Sequence, residues 1–363
     1  MKPAPSTTAL LLLRRRRCRL PPLPTHPSRR RATASLTQHR GVATTTTTTT
    51  TAAAAAATTP AVIRPSDGEI RDQALSPRNL ELAVRHLHAD GLVVVEDVVP
   101  HADLDALNRK MVGDALHLQS LGDEGPFNYN LGNLQQDPPP VAEHFYKSIF
   151  TNPVATQITS SVLGPRPKLT FLSANSAMPP SPASGPPQRQ PVHSDADFAH
   201  PPHPFALVVN VPLVAMTPAN GSTELWLGTH ADPDAYASSQ EGAHGDRASG
   251  RIRQAALAAR RAVRPPSQPA VRKGSLVVRD LRLWHAGMPN ATADVRVMLA
   301  MIHFAPWYRN RMRLRLAEDV RPLLEAATEG RLEVPVDWVS RDEALRTYLG
   351  RGFGNSYDFD QEP

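Results

Sequence analysis

The sequence predicts a mainly β domain with flanking helices, a sandwich or barrel of short strands, behind a long low-complexity N-terminal extension. Three observations carry that prediction. Between Leu169 and Phe304 short apolar runs recur, separated by Pro- and Gly-containing turns. The chain holds 37 Pro among 363 residues, which fits a loop-rich β protein and opposes a helical bundle. Helical spacing of apolar residues is confined to three segments, residues 78–90, 103–116 and 251–263.

Taken in order, residues 1–65 form the extension. Arg14 to Arg17, a Thr run from Thr44 to Thr51 and an Ala run from Ala52 to Ala57 leave no hydrophobic period that could pack. The apolar stretch from Ala9 to Leu13 is too short for a secretory core or a bilayer span. Arg-rich, acid-free composition suits either a mitochondrial transit peptide or a disordered extension without an address. The expected location is intracellular, mitochondrial or cytoplasmic. A peroxisomal address is disfavoured, because Arg19, Leu20 and His26 are followed by Pro27 and interrupted by further prolines.

Residues 66–363 are expected to fold as a single domain. Residues 78–90 place Leu80, Leu82, Ala83 and Leu87 at helical spacing, and Gly91 follows as a stop signal. Residues 92–99 read as a strand ended by Pro100, and residues 103–116 as a second helix. Strands are then expected at 169–173, 190–198, 205–213, 224–227, 275–279, 281–284 and 296–304, with one helix at 251–263.

Charge and cysteine content narrow the function. Of the 40 Lys and Arg, eleven fall in residues 1–66, which hold no Asp or Glu. The remaining 29 face 34 acidic residues, so the body is mildly acidic and a phosphate-tracking groove for nucleic acid is not expected. The single cysteine, Cys18, lies in the extension. The body can therefore have no disulfide, no thiolate metal site and no Cys nucleophile, and any metal must be held by His, Asp or Glu.

Such a set exists. In a strand over residues 190–198, His193 and Asp195 would point to one face and present an imidazole beside a carboxylate. A second His completes a facial triad suited to non-haem Fe(II), with open positions on one side. His285 is the candidate, at the end of a strand-like stretch. If residues 281–284 and 296–304 form a hairpin turning near Asn290 and Ala291, Arg296 lies opposite His285. Its planar fork could then grip the far carboxylate of a dicarboxylate bound to the metal. Asp197 is a rival carboxylate, but lies about 13 Å along a strand from His193 against about 7 Å for Asp195. His200, His203, His230, His244 and His303 are alternatives for the distal ligand, read as structural or solvent-facing. Taken singly, each element has an ordinary structural explanation; the order His-x-Asp, long interval, His, then Arg eleven residues later does not.

On these residues the chain resembles the phytanoyl-CoA dioxygenase family over roughly residues 78–310, most closely its fungal-type members. The segment from Asn220 to His230 is similar to that family's N-G-[ST]-x-x-x-x-x-G-[ST]-H motif, with Leu227 where Pro is more frequent. The resemblance implies a double-stranded β-helix core of the jelly-roll or cupin-like kind. It implies Fe(II) on His193, Asp195 and His285, 2-oxoglutarate as co-substrate with its 5-carboxylate on Arg296, O2 as oxidant and ascorbate as reductant. Retention of the carboxylate Asp195 implies hydroxylation or desaturation over halogenation.

Gln190, Thr223 and Asn175 are expected to contact the co-substrate, and Trp284 to wall the metal site. Phe127, Asn128, Tyr129 and Asn130 are expected at the substrate entrance. The expected substrate is a small hydrophobic metabolite or acyl compound. Two other readings stand beside it: a catalytically inactive cupin-like binding module, and a peptide or protein hydroxylase. A CoA phosphate site would need clustered cations, for which Arg247, Arg251, Arg253, Arg260, Arg261 and Arg264 are available.

Overall fold

The computed structural model describes residues 58–180, 188–231, 239–241 and 250–350. The targeting and disorder expectations for residues 1–57 lie outside these residues, as do His244 and Arg247. The chain opens with β1 (Ala61–Ile63), α1 (Asp67–Asp72), α2 (Pro77–Asp90), β2 (Leu92–Val95) and α3 (His101–Ser120). β3 (Asn133–Gln136), α4 (Lys147–Phe150), α5 (Pro153–Leu163), β4 (Lys168–Ala177) and β5 (Ala206–Pro212) follow. Three two-residue strands come next, β6 (Glu224–Leu225), β7 (Gln240–Glu241) and β8 (Arg251–Ile252), then α6 (Gln254–Val263). β9 (Leu276–Asp280), β10 (His285–Ala286) and β11 (Arg296–Phe304) complete the cavity-bearing part. β12 (Leu314–Ala317), α7 (Arg321–Thr328), β13 (Val336–Val339) and α8 (Arg341–Thr347) end the described chain.

Seven strands form the major sheet in the order β1-β2-β9-β5-β11-β4-β3. All its pairings are antiparallel except β1 with β2. Opposite it lies a fragmented minor sheet in which β6 pairs with β10, and His193 bridges both His285 and Arg251. The two sheets make the double-stranded β-helix core.

Period-2 alternation decides which residues face the interior. On β11, Arg296, Met298, Ala300 and Ile302 line the cavity between the sheets, while Val297, Leu299 and Met301 pack in the main core. β9 sends Val277 and Arg279 inward, and β2 sends Leu92 and Val94. The outer face is covered by apolar residues of α2, α3 and α5, including Leu87, Leu104, Leu107, Met111 and Ile158. Helix α2 begins at an N-cap, Ser76, followed by Pro77, and ends on Gly91 with φ 77°. A Cβ on Gly91 would meet His230 Nδ1 at 2.5 Å, so both backbone and packing demand glycine there.

Several expectations need correction. β1 lies before residue 66 and pairs with β2, so the sheet reaches back into the stretch assigned to the extension. β2 ends at Val95, because Asp97 adopts φ 57° and Val98 and Val99 both donate to Gly274 O. Residues 190–198 are not a strand: only His193 is bridged, and the Ser194 hydroxyl accepts from Ala196 N to turn the chain. Residues 281–284 are a turn, in which Asp280 Oδ1 accepts from Arg282 N at 2.9 Å; the strand begins at His285 instead. The expected hairpin does not form. Both edges of β11 are filled by β4 and β5, so β10 joins the minor sheet and the connection crosses between sheets. Asn290 pins that crossing by donating to Ala177 O at 3.0 Å and Asp294 O at 2.7 Å.

Candidate metal centre

The centre is assembled on one backbone pairing. His193 N donates to His285 O at 2.9 Å and His285 N donates to His193 O at 3.0 Å. Directly opposed residues of an antiparallel pair project to the same side. The two imidazoles accordingly lie 4.4 Å apart between centroids. The distal histidine is thus fixed by His193 itself, not by a hairpin with Arg296.

Asp195 joins them from the turn that follows. Its Oδ1 lies 3.7 Å from Nε2 of His193 and 3.7 Å from Nε2 of His285. One donor atom from each of the three residues falls within 4.8 Å of the others. Among the described residues this is the one such cluster of His, Cys, Asp and Glu. Asp197 lines the same cavity but does not belong to it.

Protonation suits a metal. His193 Nδ1 lies 2.9 Å from Pro191 O, and His285 Nδ1 lies 3.0 Å from Leu283 O. A carbonyl only accepts, so each Nδ1 carries the proton and each Nε2 keeps its lone pair beside Asp195. Burial pushes the His285 imidazole down to about 3, with the neighbouring Arg279 adding to the effect. Burial lowers His193 as well. Burial alone would raise the Asp195 carboxyl; the Arg279 guanidinium, by its charge and its hydrogen bond, outweighs it and holds the group well below the usual carboxylate range. Two neutral imidazoles and one carboxylate are the donor set of a 2-His-1-carboxylate iron site.

Arg296 lies at the start of β11, 2% exposed, on the wall of the same cavity. Its Nη1 donates to Asn175 O at 3.2 Å and its Nη2 to Gly221 O at 2.8 Å. Its Nε is buried with no partner, and no carboxylate pairs with the guanidinium among the described residues. Burial pushes its pKa down to about 10.

The other expected residues divide. Gln190, Asn175 and Thr223 line the cavity. Gln190 is already committed to backbone, accepting from Gly287 N at 2.8 Å and donating to Asn128 O at 3.4 Å. Asn175 Oδ1 is buried without a partner and remains available. Trp284 does not wall the site. It precedes His285 and alternation turns its ring to the opposite face, into a cluster with Trp226, Val192, Ile252 and Leu257. Phe127, Asn128 and Tyr129 line the cavity, and the Tyr129 ring lies 5.1 Å from that of His193.

The alternative histidines serve structure. His230 Nε2 meets His88 O at 3.2 Å, His303 Nδ1 meets Thr159 Oγ1 at 2.9 Å, and His200 Nδ1 meets Pro201 O at 2.9 Å. His203 packs its ring 5.3 Å from that of Trp307. The cations near α6 are likewise engaged: Arg264 with Asp90, Arg260 with Leu227 O, Arg253 with Gln240 O, and Arg261 over Trp226.

Sequence reasoning passed over Arg279 and Asn210, which both line the cavity. An Arg two residues after Val277, on the same face of a strand that begins with three apolar residues, was the available signal. No helix among the described residues is long and apolar enough to cross a membrane.

Among solved structures, the chain is similar to the non-heme alpha-ketoglutarate-dependent epimerase SnoN from nogalamycin biosynthesis, with 16% identity, 63% of this chain and 84% of that one covered, and a TM-score of 0.46. It is also similar to ThoJ, a non-heme monooxygenase, with 20% identity, 62% and 78% coverage, and a TM-score of 0.44. The family model for phytanoyl-CoA dioxygenase matches residues 87–298, which contain the whole triad and Arg296. The chain belongs to the phytanoyl-CoA dioxygenase family, and its enzyme class is that of the iron- and 2-oxoglutarate-dependent oxygenases.

Proposed function

We propose that the enzyme oxidises a small, largely apolar metabolite or acyl compound by hydroxylation or desaturation, with Fe(II) on His193, Asp195 and His285 and 2-oxoglutarate anchored by Arg296. One observation carries the co-substrate assignment. Arg296 is a fully buried cation without an acidic partner among the described residues, in the cavity that contains the triad. Burying an unpaired charge is unfavourable, so a site that retains one is built for an incoming anion. A distal carboxylate would meet the guanidinium, with Asn175 and Thr223 beside it on the wall.

When bound, the iron and its co-substrate supply oxidising power from O2 by decarboxylating 2-oxoglutarate to succinate. The protein's own residues hold and orient. The His193 and His285 rings are kept in their tautomers by carbonyls, Asp195 stays anionic, and Arg296 fixes the direction of the dicarboxylate. Retention of Asp195 supports oxygenation over halogenation.

Cavity size and lining support the substrate class. The cavity measures about 310 Å³, and Leu92, Val94, Val208, Met216, Val271 and Val277 make part of its wall apolar. Ligand cavities commonly span about 300–1,000 Å³, and this one must also admit the co-substrate. The space left suits a compact substrate. The α6 arginines, engaged elsewhere, offer no support for a CoA phosphate site.

The test is succinate release from 2-oxoglutarate in air with Fe(II), over a panel of small hydrophobic acids and alcohols with CoA thioesters alongside. Stimulated release by panel members, absent in Arg296→Ala, is expected. No release above background with any compound would sink the proposal, and stimulation by CoA thioesters alone would redirect the substrate class.

A further inference from the structure

A second buried cation stands behind the triad. Arg279 projects from β9 onto the cavity wall and is 6% exposed. Its Nη2 donates to Asp195 Oδ2 at 2.5 Å, and its Nε donates to Asn210 Oδ1 at 3.2 Å. Asn210 is held in turn, its Nδ2 donating to Leu299 O at 3.1 Å. A chain of hydrogen bonds therefore runs from the β11 backbone through β5 and β9 to one oxygen of Asp195. The other oxygen, Oδ1, is the one 3.7 Å from both histidine Nε2 atoms.

This arrangement answers a problem set by the local backbone. His193 and His285 are fixed by their mutual ladder bonds, but Asp195 sits in a turn outside any strand. Nothing in a turn of this kind fixes a side-chain torsion to the accuracy a metal ligand needs. A guanidinium fork reaching from the major sheet supplies what the loop lacks, since its planar donors constrain direction as well as distance.

We propose that Arg279 is a positioning residue for the metal centre: it holds Asp195 Oδ2 from the major sheet, so that Asp195 offers the metal a single oxygen, Oδ1, in an orientation set by β9. The proposal rests on the triad being the metal site. It divides the two carboxylate oxygens between sheet and metal, and assigns Asn210 to steering the fork. Lysine could supply the charge but not the two-pronged geometry.

The test uses the full chain, without air, co-substrate or turnover, titrated with Co(II). Metal affinity is read by calorimetry and ligand geometry by the visible d–d absorption of bound Co(II). Loss of a partner that orients a ligand typically weakens metal affinity about 10–100-fold. Arg279→Met is expected to fall in that range with an altered d–d spectrum, and Arg279→Lys between it and the wild type. Asn210→Ala keeps both charges and loosens only the fork, so a smaller loss with a broadened spectrum is expected. Should Arg279→Met fail to fold, judged by circular dichroism, the lysine and Asn210 variants decide. Affinity within about twofold of wild type, or tighter, with an unchanged spectrum in the folded Arg279 variants, overturns the proposal. If the wild type itself binds no Co(II), or His285→Ala binds it equally well, the triad reading falls and this inference falls with it. A wild type that binds and a His285→Ala that does not, beside unaffected Arg279 variants, would refute the role of Arg279 alone.

Discussion

Replacing Arg296 by Met should separate stability from co-substrate binding. The guanidinium is fully buried, and burial lowers its pKa from 12.5 to about 10. That shift corresponds to about 3 kcal/mol by which the empty protein disfavours the cation. Against it stand two charge-assisted hydrogen bonds, to Asn175 O and Gly221 O. Each contributes about 1.5–3 kcal/mol, and truncation leaves both carbonyls short of a donor. The two bonds together, about 3–6 kcal/mol, match or exceed that relief, so the unliganded variant should melt somewhat below the wild type, by up to about 3 kcal/mol of stability. Binding behaves differently, because only the cation meets the carboxylate. Losing one partner of a buried, hydrogen-bonded charge pair costs about 2–5 kcal/mol, which is about 30- to 5,000-fold in affinity. The assay is thermal unfolding with Mn(II), with and without 2-oxoglutarate. Wild type at a ligand concentration of about 100 Kd should gain about 2.7 kcal/mol, and the variant at the same concentration at most about 0.9 kcal/mol. A folded Arg296→Met protein that keeps the full ligand-dependent increment would rule out Arg296 as the co-substrate anchor.

His303 is buried with its pKa lowered to about 4 from 6.5, so the unfolded chain takes up the proton first as pH falls. Between pH 7 and pH 4 the wild type should therefore lose about 3 kcal/mol more stability than His303→Gln, measured by urea unfolding at each pH; parallel curves would contradict this. Gly91→Ala must adopt φ 77° and place a Cβ 2.5 Å from His230 Nδ1, so a loss of about 1–3 kcal/mol is expected with activity per folded molecule retained. Gly287→Ala would press on Gln190 Oε1, 2.5 Å from the ideal Cβ position, and should displace Gln190 from the cavity wall. A raised KM for 2-oxoglutarate with a modestly lowered melting temperature, from the lost bonds to Gly287 N and Asn128 O, is the expected signature, and unchanged kinetics would place Gln190 outside the co-substrate site.

The legible parts of the sequence were those decided locally. Helix α2 carries its own cap, periodicity and terminal glycine, and β11 alternates inward and outward residues over its full length. The His193–Asp195 pairing and His285 were legible as a spaced motif, and the three do converge. The reasons for that convergence were not legible. Residues 190–198 lack a strand, and Asp195 is brought in by a turn and by Arg279, a residue 84 positions away. The hairpin failed because β11 found partners on both edges, a matter of distant strands that local pattern cannot report. Trp284 and His285 are neighbours and must face opposite ways, so with His285 turned to the triad the indole is directed into the cluster with Trp226. Elements beyond β11 carry short, weakly periodic segments that gave no expectation at all.

The proposed function requires that His193, Asp195 and His285 hold an iron that 2-oxoglutarate chelates under the direction of Arg296. Anaerobic addition of Fe(II) and 2-oxoglutarate to the full chain tests it directly, through the weak visible charge-transfer band of that chelate. The band should appear in the wild type, vanish in His285→Ala, and require far more 2-oxoglutarate in Arg296→Met. A wild type that shows no band, or a His285→Ala variant that keeps it, would contradict the assignment of this metal centre.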